Sequence, residues 1–108
     1  MFGGEQQRPL SIDQRLIDTI AKAVNWMQRL TSGATKTTAE LAREDGIDDG
    51  EISRVLPLAF LAPDIVEAIV QGRQPVELTA RYLKRLKPLP ATWAEQRRVL
   101  GFEPAKSA

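Results

Sequence analysis

Residues 38–56 leave little choice of local fold. Leu41 and Ala42 fall on one side of a short helix, with Ala42 small enough to let a second helix cross close by. Gly46 follows where a sharp turn needs positive φ, and Ile47, Ile52 and Val55 supply the apolar plug and the inward side of the second helix. Thr37 and Glu40 form a T-x-x-E capping box before the first helix, and Asp48 with Glu51 can do the same before the second. Pro57 cannot continue that helix and biases Leu56 away from right-handed helical angles, so the second helix should be short. The pattern predicts a helix-turn-helix, a geometry that also occurs in bundles touching no nucleic acid.

The other segments read as packing and flanks for this unit. Ser11 with Gln14 forms an S-x-x-Q box, after which Leu16, Ile17, Ile20, Val24, Met27 and Leu30 recur at helical intervals over about five turns, the longest helix of the chain. Trp26, beside that stripe, is expected as a packing residue rather than a base-stacking platform. A loop over 31–35 leads into the motif. Beyond it, the apolar run 58–62 is expected to pack beneath the motif. Pro63 suits the first position of another helix, with Asp64 in its first turn, Ile65, Val66, Ile69 and Val70 inward, and Gly72 as its stop. Thr79 should cap a helix with Tyr82, Leu83 and Leu86 on one side and Arg81, Lys84 and Arg85 elsewhere, broken by Pro88 and Pro90. Thr92 and Glu95 make a third box for a last helix packed through Trp93, Val99 and Leu100 and closed by Gly101. The expected fold is all-α, a small bundle of about five to seven helices built around the helix-turn-helix. Residues 1–10 are a flexible lead-in, 11–102 the helical domain and 103–108 a frayed tail.

Composition narrows the function classes. With 108 residues, 43% hydrophobic and 27% charged, the chain suits one domain with a modest core. It has neither cysteine nor histidine, so disulfides, thiolate metal sites and the commonest general base are excluded, and no catalytic residue, metal ligand or cofactor is expected. No apolar run approaches membrane-span length, and residues 1–5 lack the basic and apolar regions of a signal peptide. The reading is therefore a cytoplasmic non-enzyme with no membrane partner.

Several separate blocks then occur in a telling order: Leu58-Ala59-Phe60-Leu61-Ala62-Pro63-Asp64-Ile65-Val66-Glu67-Ala68-Ile69, Gly72-Arg73-Gln74-Pro75, Leu78-Thr79-Ala80 and Trp93-Ala94-Glu95-Gln96-Arg97-Arg98-Val99-Leu100-Gly101-Phe102. Together they resemble the C-terminal region of bacterial and phage serine site-specific recombinases, the resolvase/invertase superfamily. The likeness extends more loosely back to residue 12, and the helix-turn-helix is more distantly similar to that of plasmid-partition proteins of the ParB/KorB type. The resemblance implies a DNA-contacting or assembly module from the end of a recombinase. Ser11, Ser32, Ser53 and Ser107 stand in no context matching that family's nucleophile motif, so no catalytic role is carried over.

Charge is distributed unevenly. Lys and Arg number five against three Asp and Glu over residues 1–37, two against eight over 38–72, and eight against three over 73–108. Carboxylates at a helix N-terminus repel the phosphates that supply most DNA-binding energy, so positive charge must come from the flanks. The candidate DNA-binding residues are Ser53 and Arg54 on the second helix, Gly50 for close backbone approach, Glu51 as an acceptor from a cytosine amine, and Lys36, Arg43, Arg81, Lys84 and Arg85 as phosphate contacts. Arg97 and Arg98 are further phosphate candidates. The expected function is a DNA-binding accessory domain of a site-specific recombinase-like protein, its partner double-stranded DNA. The alternative is a helical protein-interaction or dimerisation module that has lost direct DNA contact and associates with a recombinase catalytic domain or a second copy.

Overall fold

Asp13, not Ser11, caps the first helix: its carboxylate accepts the Leu16 N–H at 3.1 Å. The computed structural model describes residues 12–86 and 88–102, so Ser11, the lead-in, Lys87 and the tail lie outside the described residues. Helix α1 (Gln14–Ser32) turns Leu16, Thr19, Ile20, Ala23 and Trp26 inward. Trp26, only 2% exposed, sets this face, which leaves Val24 one position off it and 39% exposed instead of inward as expected. Thr19 is tolerated there because its hydroxyl donates back to the Arg15 carbonyl at 2.8 Å.

The predicted helix-turn-helix is present in form. Helix α2 (Thr38–Asp45) starts on the Thr37 hydroxyl, which accepts the Glu40 N–H at 3.1 Å, while the Glu40 carboxylate accepts the Lys36 N–H at 2.8 Å, one residue earlier than in a reciprocal box. Gly46 ends it at φ 65°, with open space where a Cβ would go, so the glycine is needed for its backbone angle and not for room. Helix α3 (Asp49–Val55) follows at once and buries Ile52 and Val55 beside Leu41 of α2 in one core. Contrary to expectation, Leu56 keeps right-handed helical angles (φ −51°, ψ −42°). The chain tightens there into a 3-10 helix (Leu56–Phe60) with Pro57 in its first turn, where a missing N–H leaves no bond unmade.

This 3-10 helix is the main packing partner of α1, placing Leu58 under the motif, with Leu61 and Ala62 buried just after it. Phe60, expected in the same buried run, is 59% exposed. Helix α4 (Pro63–Val70) buries Ile65, Ala68 and Ile69 and turns Val70 to solvent, and Gly72 follows it with the Arg73 N–H closing onto the Ala68 carbonyl at 2.8 Å. Helix α5 (Ala80–Arg85) is capped by Thr79 and buries Ala80 and Leu83 against α1 and α3, leaving Tyr82 partly exposed. Helix α6 (Trp93–Leu100), capped by Thr92, buries Gln96 and Leu100, so Trp93 at its first position faces out. The described chain is all-α, six α-helices and one 3-10 helix around a single core.

Gln96 does what no apolar side chain could. Its Oε1 accepts the Ala62 N–H at 2.8 Å, and its Nε2 donates to the Phe60 carbonyl at 3.1 Å and the Pro90 carbonyl at 3.0 Å, satisfying backbone groups where the chain leaves the 3-10 helix and approaches α6.

Ile52 has no exposed surface. Ile52→Asp should therefore remove several kcal/mol of stability and abolish the cooperative thermal transition, because an unpaired charge would sit in the common core. A variant that melts with the parent would show that Ile52 does not lie inward.

Candidate nucleic-acid interface

Helix α3 and its cap carry three of the acids that set the local charge, Asp48, Asp49 and Glu51. Asp48 caps it, accepting the Gly50 N–H at 2.9 Å. A Cβ on Gly50 would stand 2.8 Å from that Asp48 oxygen and 3.3 Å from an Arg54 guanidinium nitrogen, so the missing side chain already serves a close approach within the domain. Glu51 does not reach back to complete a capping box. Lys84 of α5 meets it at 2.8 Å and Arg54 at 3.3 Å, and these two, Lys84 foremost, hold its carboxyl below the usual carboxylate range. Ser53 and Arg54 remain exposed on the outer side of α3, as does Asp49.

The basic residues sort into two groups. Arg97 is held by Asp64 at 2.8 Å, tying α6 to α4, and Arg98 pairs with Glu95 of its own helix. Both are thereby engaged inside the domain. Arg81, Lys84 and Arg85 lie three and four residues apart and so share a face of α5. Because Lys84 touches α3, that face borders the second helix of the motif. Lys36 immediately before α2 and Arg43 upon it are exposed, and among the described residues Lys36, Arg43, Arg81 and Arg85 form no ion pair.

A junction that the sequence reading did not anticipate positions the motif on α1. Glu44 and Asp45 end α2, where a carboxylate faces the negative end of the helix dipole. Asp45 accepts the Trp26 indole N–H at 2.8 Å and two bonds from Arg29 at 3.1 Å, while Glu44 accepts from Arg29 at 2.7 Å and from the Thr35 hydroxyl at 3.0 Å. Arg29 first and Trp26 second hold the Asp45 carboxyl below its ordinary range, and Arg29 followed by Thr35 does the same to Glu44. The available signal was that misplaced pair of acids, which needs a cation from another element.

Beside α3 opens a groove of about 850 Å³ whose lining includes Arg54, Phe60, Leu86, Leu89, Pro90 and Trp93. Among the described residues no group of three or more Asp or Glu is placed to hold a metal ion, and no helix is long and apolar enough to cross a membrane. Compared with protein-family models, curated proteins and solved structures, the chain matches none.

The carboxyls of Glu44 and Asp45 are depressed by folding, so the stability they confer is present above the ordinary carboxylate range near pH 4 and is lost as pH falls through their lower folded values. The thermal midpoint should be level from about pH 8 to 5 and fall below about pH 4. Arg29→Gln should lower the midpoint at neutral pH and make the acid fall shallower. An acid limb parallel to the parent's would contradict the role given to Arg29.

Proposed function

We propose that this chain is a DNA-binding accessory domain of a site-specific recombinase-like protein, contacting double-stranded DNA through residues 38–56 and working in the cytoplasm. The observation that carries the reading is the Lys84–Glu51–Arg54 arrangement: the acid most at odds with phosphate is compensated from within the domain. The second helix then offers Ser53 and Arg54 outward, flanked by Arg81 and Arg85 on the adjoining face of α5, with Lys36 just before the first helix of the motif and Arg43 upon it. Phosphate contacts from these cations would orient the domain, and Ser53 and Arg54 would meet base edges or the backbone beside them. The ordered blocks from residue 58 to 102 that resemble recombinase C-terminal regions support the same class. No catalytic group is assigned. The apolar groove beside α3 favours the second reading, a protein-interaction module associating with a recombinase catalytic domain or a second copy.

Fluorescence anisotropy with random duplex at two salt concentrations separates the readings, since phosphate binding weakens steeply with salt and apolar association does not. Replacing Arg81, Lys84 and Arg85 together with Ala should weaken binding to unrelated sequences alike and flatten the salt slope. Asp49→Ser with Glu51→Gln should tighten binding by roughly 1 to 2 kcal/mol at low salt, by removing one repulsive charge and releasing Lys84 and Arg54 from another. Arg54→Ala should weaken it. No gain from the first pair and no loss from Arg54→Ala would sink the DNA reading of α3.

A further inference from the structure

The groove beside α3 has a composition that duplex DNA cannot use. Phe60 and Trp93, 59% and 51% exposed, stand among Pro57, Leu86, Leu89 and Pro90, and among the described residues Arg54 is the one charged residue of the lining. Its volume of about 850 Å³ falls toward the upper end of the range for ligand-binding clefts, enough for several side chains. Gln96, which also lines it, has both ends of its amide engaged by backbone groups, so this polar residue of the lining asks for no hydrogen bond.

We propose that this groove binds an apolar segment of a partner protein that carries a carboxylate, with Phe60 and Trp93 packing its side chains and Arg54 taking its charge. Arg54 is free to make that exchange. It holds Glu51 through one 3.3 Å contact on a side chain 42% exposed, and Glu51 keeps Lys84 at 2.8 Å when Arg54 leaves. A single-stranded nucleic acid fits less well, because stacking platforms of that kind are accompanied by cations that track the phosphates, and among the described residues of this lining Arg54 alone is cationic. Arg54 thus belongs to two surfaces, and on the DNA reading a partner in the groove competes with duplex for it.

The two tryptophans give the test its own control, since Trp93 lies in the groove and Trp26 is buried against Asp45. Indole N–H resonances of the full chain would be followed while adding a synthetic helix of about twelve residues that carries Leu and Phe on one face and Asp at the end of that face. The Trp93 signal should shift to saturation and the Trp26 signal should stay. Changing the peptide's Asp to Lys, or Arg54→Gln in the protein, should weaken binding by about tenfold, and Phe60→Ser should abolish it. Phe60 and Arg54 are exposed, so each variant should keep the parent's thermal midpoint, which confirms that a lost signal is lost binding. Equal binding of the Asp and Lys peptides, an unmoved Trp93 signal, or a response to oligothymidylate alone would overturn the assignment. Duplex that binds without displacing the peptide would overturn the shared use of Arg54. Absence of duplex binding would fail the DNA reading while the peptide result still decides the groove.

Discussion

The Asp45 carboxylate, at the end of a helix whose dipole disfavours it, fixes where the first helix of the motif sits on α1. It is held by the Trp26 indole and the Arg29 guanidinium, both on α1, so the first helix of the motif is fastened at its C-terminal end to the long helix. Gly46 turns the chain one residue later, and α3 is laid down with Ile52 and Val55 toward the same core. An apolar contact alone would let α2 slide or rotate on α1. A bidentate guanidinium and an indole N–H meeting one carboxylate specify distance and direction together.

Charge on the outer side of α3 is governed by a second exchange between elements. The net acidity of residues 38–72 suggests a surface hostile to phosphate, yet the acid that projects from α3 toward α5 is met by Lys84 and Arg54. Compensation has a consequence for the cations: Lys84 and Arg54 are partly committed, whereas Arg81, Arg85, Lys36 and Arg43 carry their charge without an ion pair among the described residues. Long-range attraction would come from the second set and contact on α3 from Arg54. The apolar groove adjoining the same helix gives the domain a second kind of surface, with Arg54 on the boundary.

Most helix ends were legible because capping is local: Thr37, Asp48, Thr79 and Thr92 each cap the helix that follows, and Gly46 and Gly101 end theirs. Leu41, Ile52, Val55, Ile65 and Leu83 were legible as core from spacing. What spacing could not resolve was rotation by one position. Val24 and Val70 read as inward from spacing, but each stands one position beyond a buried residue, Ala23 and Ile69, and the two line an open cleft between α1 and α4. Phe60 and Trp93 were assigned to packing for the same reason, since an apolar residue that lines an open groove looks like a core residue in sequence. Gln96 carried no signal of its own, because its role depends on the Phe60, Ala62 and Pro90 backbone arriving from elsewhere in the chain. The pairing of Glu51 with Lys84 spans α3 and α5, and only the packing of those helices brings it about.

The central claim is that α3, with its acid compensated by Lys84, faces double-stranded DNA. Mapping backbone amide shifts of the full chain on adding random duplex at low salt tests it most directly. The account predicts changes concentrated at Ser53 and Arg54, at Lys36 and Arg43, and along the Arg81–Arg85 face of α5, all fading as salt is raised. Shifts confined to α4 and α6, or none at all, would contradict it.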